Sequence, residues 1–310
     1  MMAKIATRQA YGEALKQLAV ENPNVVVLDA DLSKSTMTAE FNKVAPERFI
    51  NVGIAEQNLI GTAAGLSLTG KVPFASSFAM FAAGRAFEII RNTVAYPKLN
   101  VKIAATHAGL TVGEDGASHQ AIEDLSLMRS IPNMVVLNPA DGVEAKKAVI
   151  AAANYNGPVY IRLGRAAVEE IFDDNYEFQI GKGVELVKGN DASIIATGIM
   201  VEKALKASEI LKAEGINVRV INIHTIKPID AELIIKAAKE TKRIVTAEEH
   251  SIIGGLGSAV LEAISEECPV PVIRIGVKDT FGESGKPNEL LEKYGLTEKE
   301  IVEAVKKLVK

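Results

Sequence analysis

The chain has 310 residues, of which 48% are hydrophobic and 24% charged, with a formal net charge of −4. This length and composition predict an ordinary soluble protein of two domains, and the negative charge argues against nucleic acid as a partner. The single cysteine, Cys268, excludes an internal disulfide and a cysteine-based metal cluster.

No apolar run is long enough for a membrane helix, and the first residues lack the apolar core of a signal peptide. We therefore expect a cytoplasmic protein with no membrane partner.

Short apolar runs alternate with segments of helical spacing in the first half of the chain. The predicted order is a helix over 6–20, strands over 25–28 and 49–52, a helix after Glu56, a strand over 73–75, a helix through Arg91, a strand over 101–106, a helix over 121–129, a strand over 134–137, a helix over 142–153 and a strand over 158–163. This alternation is typical of a mainly parallel sheet covered by helices on both faces.

A charged and aromatic stretch over 166–183 interrupts the alternation, which then starts again. Strands are predicted over 192–196, 217–222, 243–247 and 271–275, and helices over 201–213, 231–239, 256–265 and 298–309. The chain should therefore form two α/β domains, over 1–172 and 186–310, joined by a linker over 173–185.

Glu56 is the only acid in the stretch 52–65, where small residues recur. A strand that leads into a helix would place Glu56 at the helix N-terminus, at the sheet edge where α/β proteins gather their functional groups. A carboxylate in this position can also simply complement the helix dipole. Both interpretations remain open from this stretch alone.

We call the segment 105–120 the histidine loop, because it contains two of the four histidines of the chain. Its candidate functional residues are His107, Glu114, Asp115 and His119. Its glycines allow a tight fold after the preceding strand, and histidine with carboxylates suits a catalytic or binding site. A simple turn and a metal site are the alternatives. Because the spacing matches no compact ligand motif, we assign no metal ligand.

Two smaller groups complete the candidates in the first domain. Arg8, Ser35 and Arg165 lie near predicted strand ends or the first helix, where two guanidiniums and a hydroxyl would suit a phosphate monoester; surface ion pairs are the alternative. Phe78 and Phe81 are three residues apart, one helical turn, and form either core or a stacking wall for a heteroaromatic ring.

In the second domain, the glycine-rich stretch 252–258 lacks the spacing of a dinucleotide motif, so we interpret it as a tight turn into a helix. Glu248, Glu249 and His250 form a polar cluster beside it, for which a domain or subunit contact is the preferred interpretation. His224 is interpreted as structural.

Taken together, these motifs resemble the transketolase family of thiamine-diphosphate enzymes over nearly the whole chain. The motifs that carry the resemblance, in the order of the family, are Ala6-Thr-Arg8, Asp29-Ala-Asp-Leu-Ser-Lys-Ser35, Gly53-Ile-Ala-Glu-Gln57, Thr106-His107, Gly113-Glu-Asp-Gly-Ala-Ser-His-Gln120, Asn138-Pro-Ala-Asp-Gly142, Leu163-Gly-Arg165, Glu249-His-Ser-Ile-Ile-Gly-Gly-Leu-Gly-Ser258 and Asp279-Thr-Phe-Gly-Glu-Ser-Gly285. The resemblance implies an α/β pyrimidine-binding domain, with a parallel sheet covered by helices, followed by a smaller α/β transketolase C-terminal domain.

The resemblance also implies a role for each candidate residue. Glu56 would hydrogen-bond a ring nitrogen of the thiamine pyrimidine and take part in catalysis together with His107. The remaining cofactor-binding residues would be Phe78, stacked on the pyrimidine, Phe81 behind it, and Asp31 near the middle of the cofactor. The implied substrate-binding residues are His107 and Asp115 at the hydroxyls of a ketose, and Arg8, Ser35, His119 and Arg165 at the sugar-phosphate end.

One family motif is missing from the chain. The Gly-Asp-Gly sequence that marks the diphosphate- and metal-binding domain does not occur. The resemblance therefore implies the C-terminal subunit of a split transketolase, which transfers a two-carbon ketol unit from a ketose phosphate to an aldose phosphate. It would share thiamine diphosphate with an N-terminal diphosphate-binding subunit, which would supply most of the ligands of Mg²⁺. Without that subunit, the chain would be inactive.

The expected assembly is a heterotetramer, with two copies of this chain and two of the partner. Three rival interpretations remain. The β-subunit of a 2-oxoacid dehydrogenase shares the layout but does not usually carry the histidine loop. A 1-deoxyxylulose-5-phosphate synthase shares part of that loop but is normally one longer chain. A non-catalytic assembly partner would have kept the fold for assembly but not the catalytic activity.

Overall fold

The computed structural model describes residues 4–310 as two α/β units. The first contains β1 Lys4–Ala6, α1 Thr7–Glu21, β2 Val25–Asp29, α2 Ser33–Thr36, α3 Ala39–Asn42, β3 Phe49–Asn51, α4 Glu56–Ser67, β4 Val72–Phe78, α5 Phe87–Ile89, β5 Lys102–Thr106, α6 Asp124–Ser130, β6 Val135–Leu137, α7 Gly142–Asn154, β7 Val159–Arg162 and β8 Ala167–Glu169. Two π-helical segments, Met80–Arg85 and Ile90–Ala95, flank α5.

The second unit is smaller. It contains β9 Val184–Val187, β10 Ala192–Ala196, α8 Met200–Ala213, β11 Val218–Asn222, β12 Thr225–Lys227, α9 Ala231–Thr241, β13 Ile244–Ser251, α10 Leu256–Ile264, β14 Val272–Val277, α11 Pro287–Lys293 and α12 Glu298–Val309. Its five-stranded sheet has the order β14-β13-β10-β11-β9, parallel except for β9. The predicted α/β class with parallel sheets is confirmed, while the domain and linker boundaries stay a prediction.

The first sheet has seven strands in the order β12-β6-β7-β5-β4-β2-β3, all parallel except β12. Strands β2, β4, β5 and β7 are buried along their whole length because helices cover both faces of the sheet. Within β2, Val25 and Val27 join the core beneath α1 and α7, whereas Val26 and Leu28 join the core beneath α4. This arrangement leaves the carboxyl ends of the parallel strands together at one edge.

The short strand β12 crosses from the second unit into the first sheet. Thr225 pairs with Leu137 and Lys227 with Val136, antiparallel to β6. The Lys227 ammonium also donates to the carbonyls of Arg129, at 2.9 Å, and Ile131, at 2.6 Å. The hydrophobic pattern of the sequence does not predict this strand, because a three-residue edge strand has no periodicity of its own and depends on a distant partner.

The predicted single helix through Arg91 is wrong in two respects. Strand β4 continues through Phe78, so Phe78 lies on a strand and Phe81 on a π-helical segment, and the two do not share a helical turn. The helical region beyond Phe81 is divided by two π-helical segments. Such segments are frequent near functional sites. Among residues 4–310, no helix is both long and apolar enough to cross a membrane.

Buried polar groups join the two units. Arg162 and Asp124 form an ion pair with Nε 2.9 Å from Oδ2, and the two side chains are 4% and 1% exposed. Arg162 Nη2 donates to the backbone carbonyl of Glu249, at 2.9 Å, and the backbone N–H of Ser126 donates to His250 Nε2 at 3.3 Å. The expected domain contact at Glu249 and His250 is therefore present.

Glu144 forms a second junction between the units. Its carboxylate accepts hydrogen bonds from the N–H of Ala140 at 2.7 Å, from the Tyr176 hydroxyl at 2.8 Å and from the Asn222 amide at 2.8 Å. Burial raises the pKa of Glu144 to about 8, although the three donors oppose the increase and Asp141 adds to it. This carboxyl therefore binds its proton near neutral pH in the folded chain.

The raised pKa of Glu144 predicts a pH-dependent stability difference between the wild-type chain and Glu144→Gln. The native state keeps the Glu144 proton up to about pH 8, whereas the unfolded chain loses it near pH 4.5. Raising the pH from 7 to 9 therefore ionises the buried group and destabilises the native state. We expect the free energy of unfolding of the wild type, relative to Glu144→Gln, to fall by roughly 1 kcal/mol over this interval.

Urea unfolding of both proteins at pH 7 and pH 9 measures this difference. Exposed Glu177 offers a matched control, Glu177→Gln, for loss of a carboxylate as such. A wild-type advantage over Glu144→Gln that is constant or larger at pH 9 would contradict the prediction.

Candidate active site

Five neighbouring strands bring the predicted site residues to one edge of the first sheet. Along the order β7-β5-β4-β2-β3, Arg165 follows β7, His107 follows β5, Phe78 ends β4, Ser35 follows β2 and Glu56 follows β3. These strands are parallel, so their carboxyl ends point the same way. The common edge is therefore a consequence of the parallel direction of the strands, and their order places residues that are far apart in sequence side by side.

Glu56 is the first residue of α4 and is 3% exposed. Its Oε2 forms an ion pair with Arg85 Nη1 at 3.0 Å. Within residues 4–310, its second oxygen, Oε1, has no hydrogen-bond partner. The carboxylate complements the dipole of α4 and still keeps an acceptor for a ligand, so the two interpretations of Glu56 are compatible.

Arg85 is a site residue that the sequence analysis missed. Its side chain is 55% exposed, and its guanidinium carbon lies 5.4 Å from the ring centroid of Phe81. It thereby connects the carboxylate of Glu56 with the aromatic side chains. A signal was present, because Arg85 is the only charged residue in the stretch 72–87.

The two phenylalanines have different surroundings. The Phe78 ring stacks with the His107 ring, at a centroid distance of 3.8 Å and 23° between planes, and with Phe81, at 5.8 Å and 16°. Phe78 is only 7% exposed, whereas Phe81 is partly exposed. His119 meets the Phe81 ring at 73°, with 5.3 Å between centroids. The more accessible ring surface therefore belongs to Phe81, with Phe78 behind it, and the roles expected of the two rings toward a cofactor stay a prediction.

His107 has a left-handed backbone conformation, with φ of 57°. This conformation is uncommon for a residue other than glycine and is found mainly where the surrounding structure holds a functional side chain. Its Nδ1 lies 2.9 Å from Thr106 Oγ1. Burial, and then the positive charges of Arg8 and Arg165 and the nearby His119, lower the pKa of His107 to about 3. The imidazole is therefore neutral at physiological pH.

Arg8 and Arg165 lie close enough to influence each other. Burial, and then the charge of Arg165, lowers the pKa of Arg8. Arg8 Nη1 donates to the backbone carbonyl of Ser35 at 2.7 Å, and its buried Nε has no partner among residues 4–310. Arg165 Nη1 donates to the carbonyl of Val112 and lies 3.4 Å from Asp115 Oδ2. Two adjacent guanidiniums with an unused donor favour an anionic ligand.

The two aspartates occupy the rim of this site. Asp31 is exposed, with φ of 64°, and its Oδ1 accepts a hydrogen bond from Asn51 Nδ2 at 3.0 Å. Asp115 pairs with Arg165 and is 41% exposed. Among residues 4–310, no group of three or more His, Cys, Asp or Glu side chains is placed to hold a metal ion.

Two family models match the chain. Residues 3–170 match the transketolase pyrimidine-binding domain, and residues 181–301 match the transketolase C-terminal domain. The chain belongs to the transketolase family. Every site residue described above lies within the part that matches the pyrimidine-binding domain, so in this family member the C-terminal domain supplies none of them.

Relatives and solved structures differ in how much of their own length this chain covers. A protein of Methanocaldococcus jannaschii named as a transketolase C-terminal section is 57% identical, with coverage of 97% of this chain and 96% of that protein. Human transketolase is 41% identical, but the chain spans only 49% of its length. A solved structure described as a split-gene transketolase, an inactive β4 tetramer, is 61% identical with a TM-score of 0.93, and 98% of each chain is covered.

Proposed function

We propose that this chain is the C-terminal subunit of a two-chain, thiamine-diphosphate-dependent transketolase that transfers a two-carbon ketol unit from a ketose phosphate to an aldose phosphate. The observation that carries the proposal is the shared sheet edge. It combines a buried carboxylate, Glu56, with an available aromatic face, Phe81, and two adjacent guanidiniums, Arg8 and Arg165. Each group suits one part of the cofactor or of a sugar phosphate.

The residues present fit the pyrimidine end of thiamine diphosphate. Glu56 retains an oxygen without a partner among residues 4–310, which can accept a hydrogen bond from a ring nitrogen. The partly exposed ring of Phe81 provides a flat surface beside it. When bound, thiamine diphosphate supplies the carbon nucleophile that accepts the two-carbon unit. We propose that Glu56 and Phe81 hold its pyrimidine ring, that Phe78 supports Phe81, and that Asp31 lies near the middle of the cofactor.

The same edge contains groups suited to a sugar phosphate. His107 is neutral, so we assign it the role of hydrogen-bonding a substrate hydroxyl close to the reacting carbon, without a net charge of its own. Arg8 and Arg165 would bind the phosphate, with Ser35 and His119 beside them. Asp115 pairs with Arg165 at 3.4 Å, and we propose that it also hydrogen-bonds a ketose hydroxyl.

The diphosphate end of the cofactor is not assigned to residues of this chain. Among residues 4–310 no acidic or histidine cluster is placed for Mg²⁺, and the Gly-Asp-Gly motif of the diphosphate-binding domain is missing from the sequence. We therefore propose that an N-terminal subunit holds Mg²⁺ and the diphosphate, in a heterotetramer of two such subunits with two of these chains.

Reconstitution tests this function. The chain is mixed with the N-terminal diphosphate-binding subunit from the same source, thiamine diphosphate and Mg²⁺, and is supplied with xylulose 5-phosphate and ribose 5-phosphate. Sedoheptulose 7-phosphate should form only when both chains are present, and light scattering should show a complex with two copies of each. Each chain alone is the control, and should give no product.

Turnover of pyruvate by the mixture, without sedoheptulose 7-phosphate, would instead support one of the thiamine-dependent rivals. A 6-deoxy-6-sulfo-D-fructose transketolase subunit from a Clostridium strain is 46% identical over 297 residues. Because a sulfonate is also an anion that two guanidiniums can bind, the assay should include 6-deoxy-6-sulfofructose as a second donor. Its preference over xylulose 5-phosphate would change the proposed substrate but not the proposed reaction.

A further inference from the structure

The C-terminal domain contributes none of the site residues, yet it touches the histidine loop that carries several of them. Segments of this domain contact the loop at Gly109, Thr111, Gly113 and Gly116. These positions lie between His107 and His119. The contacts therefore occur on the backbone that sets the positions of both histidines.

The best defined of these contacts is made by Glu249, on β13. Its Oε1 accepts a hydrogen bond from the backbone N–H of Thr111 at 2.6 Å, across 138 residues of sequence. Glu249 is 3% exposed. Its carboxylate occupies the space that a Cβ would take at Gly109, where φ is 84°. Glycine at this position thus allows both the left-handed turn and the close approach of the carboxylate.

A second contact comes from the stretch that precedes α11. The Gln120 amide Nε2 donates to the carbonyl of Glu283 in the C-terminal domain at 2.9 Å, and also to the loop carbonyls of Leu110 at 3.2 Å and Gly113 at 3.3 Å. The hydroxyl of Ser284 lies against Gly116. Two separate segments of the C-terminal domain therefore hold the same loop.

We infer that Glu249 is a positioning residue for substrate binding, which acts by holding the histidine loop through the Thr111 N–H. The loop residue that Glu249 holds is the direct neighbour, along the backbone, of the residue that binds Arg165. The N–H of Thr111 donates to the Glu249 carboxylate, and the carbonyl of the next residue, Val112, accepts a hydrogen bond from Arg165. Loss of the Glu249 carboxylate frees the turn Leu110–Val112 and with it the guanidinium of Arg165.

A loop held by Glu249 should affect the binding of the substrate but not the binding of the cofactor. Glu56 and Phe81, the proposed cofactor residues, lie on α4 and on the segment after β4, outside the histidine loop. A change at Glu249 should therefore raise the KM for a sugar phosphate and leave the affinity for thiamine diphosphate unchanged. A general loss of stability would affect both. The kinetic part of the inference rests on the proposed transketolase function, whereas the loop contact itself can be measured without any activity.

Hydrogen–deuterium exchange of the full chain tests the contact directly. In Glu249→Ala, the amide of Thr111 and the neighbouring loop amides should exchange about 10- to 100-fold faster, because a buried hydrogen bond is lost and its donor is left without a partner. In Glu249→Gln, which keeps an oxygen at the same place, most of the protection should return. Amides of β2 and β4 should be unchanged in both variants.

Glu248 provides a matched control in the adjacent position. It is equally buried, but its carboxylate accepts hydrogen bonds from the N–H groups of Leu256 and Gly257 at the start of α10 and not from the histidine loop. Glu248→Ala should therefore perturb α10 while the exchange of Thr111 stays at the wild-type rate. Equal acceleration at Thr111 in Glu248→Ala and Glu249→Ala would overturn the inference, as would wild-type exchange of the loop in Glu249→Ala.

The reconstituted enzyme provides the second readout. Glu249→Ala should lower kcat/KM for the ketose phosphate by about 10- to 100-fold, as expected for misplacement of a binding group by around an ångström. The concentration of thiamine diphosphate at half-maximal activity should be unchanged. If the wild-type pair is active and Glu249→Ala has an unchanged kcat/KM, the positioning role is wrong. If the wild-type pair shows no activity, the proposed function fails, and the exchange experiment still decides the loop contact.

Discussion

Substitution of Glu56 by glutamine is expected to reduce two-carbon transfer by the reconstituted enzyme about 10²- to 10⁴-fold, the range typical of a lost acid–base group. Glutamine keeps the size of the side chain, and so the packing at the start of α4, but it carries no negative charge to favour a proton on a ligand nitrogen. The measurement is kcat at saturating thiamine diphosphate and saturating sugar phosphates. Purified wild-type and variant chains should be compared with the same preparation of partner subunit.

Glu88→Gln is the control for the Glu56 substitution. Glu88 lies on α5 in the same region and is exposed, with a hydrogen bond from Asn92. Its replacement should leave kcat unchanged. Loss of the Glu56–Arg85 ion pair should alter stability by no more than about 1 kcal/mol, because the Arg85 side chain is 55% exposed. A wild-type rate in Glu56→Gln would show that the assignment of Glu56 is wrong.

Substitution of Asp124 by alanine should have the largest effect on stability, a loss of about 3 to 5 kcal/mol in the free energy of unfolding. Asp124 and Arg162 are almost fully buried, and Asp124 also accepts a hydrogen bond from the Tyr160 hydroxyl at 2.8 Å. Alanine leaves the guanidinium buried without the carboxylate that it pairs with, between the two units of the chain. Chemical denaturation, or a fall in the melting temperature, measures the effect.

An exposed pair serves as the comparison for Asp124. Lys239 and Glu267 lie 3.8 Å apart, and their side chains are 58% and 62% exposed. Glu267→Gln should change the free energy of unfolding by less than about 1 kcal/mol. The double variant Asp124→Leu with Arg162→Met should recover much of the stability lost in Asp124→Ala, because the guanidinium that would be left without Asp124 is removed as well. Similar losses in Asp124→Ala and Glu267→Gln would contradict this account.

Much of the candidate site could be predicted from the sequence because its residues follow strands. The apolar runs before Glu56, His107 and Arg165 are local patterns, and the carboxyl ends of parallel strands lie at one edge whatever their order. The prediction of a site there did not depend on knowing which strands are neighbours. The missing Gly-Asp-Gly motif likewise led, from sequence alone, to the hypothesis that a second chain completes the site.

The roles within the aromatic group could not be predicted in the same way. A spacing of three between Phe78 and Phe81 is compatible with a helix, but the strand continues through Phe78 because Phe78 still pairs with Thr106 of β5, beyond the end of the pairing with β2. The ring of Phe78 is then covered by His107, which comes from the adjacent strand. Which phenylalanine offers a free face depends on this contact between strands, and local spacing carries no information about it.

The sequence by itself determined the α/β alternation, the family and the residues at the strand ends. These follow from hydrophobic periodicity and short motifs, which are properties of neighbouring residues. The tertiary structure alone decided that Arg85 pairs with Glu56, that β12 joins the first sheet, and that Glu249 holds the histidine loop. Each of these contacts joins residues far apart in the chain, and the last two form where the two units pack together and buried polar groups must find partners.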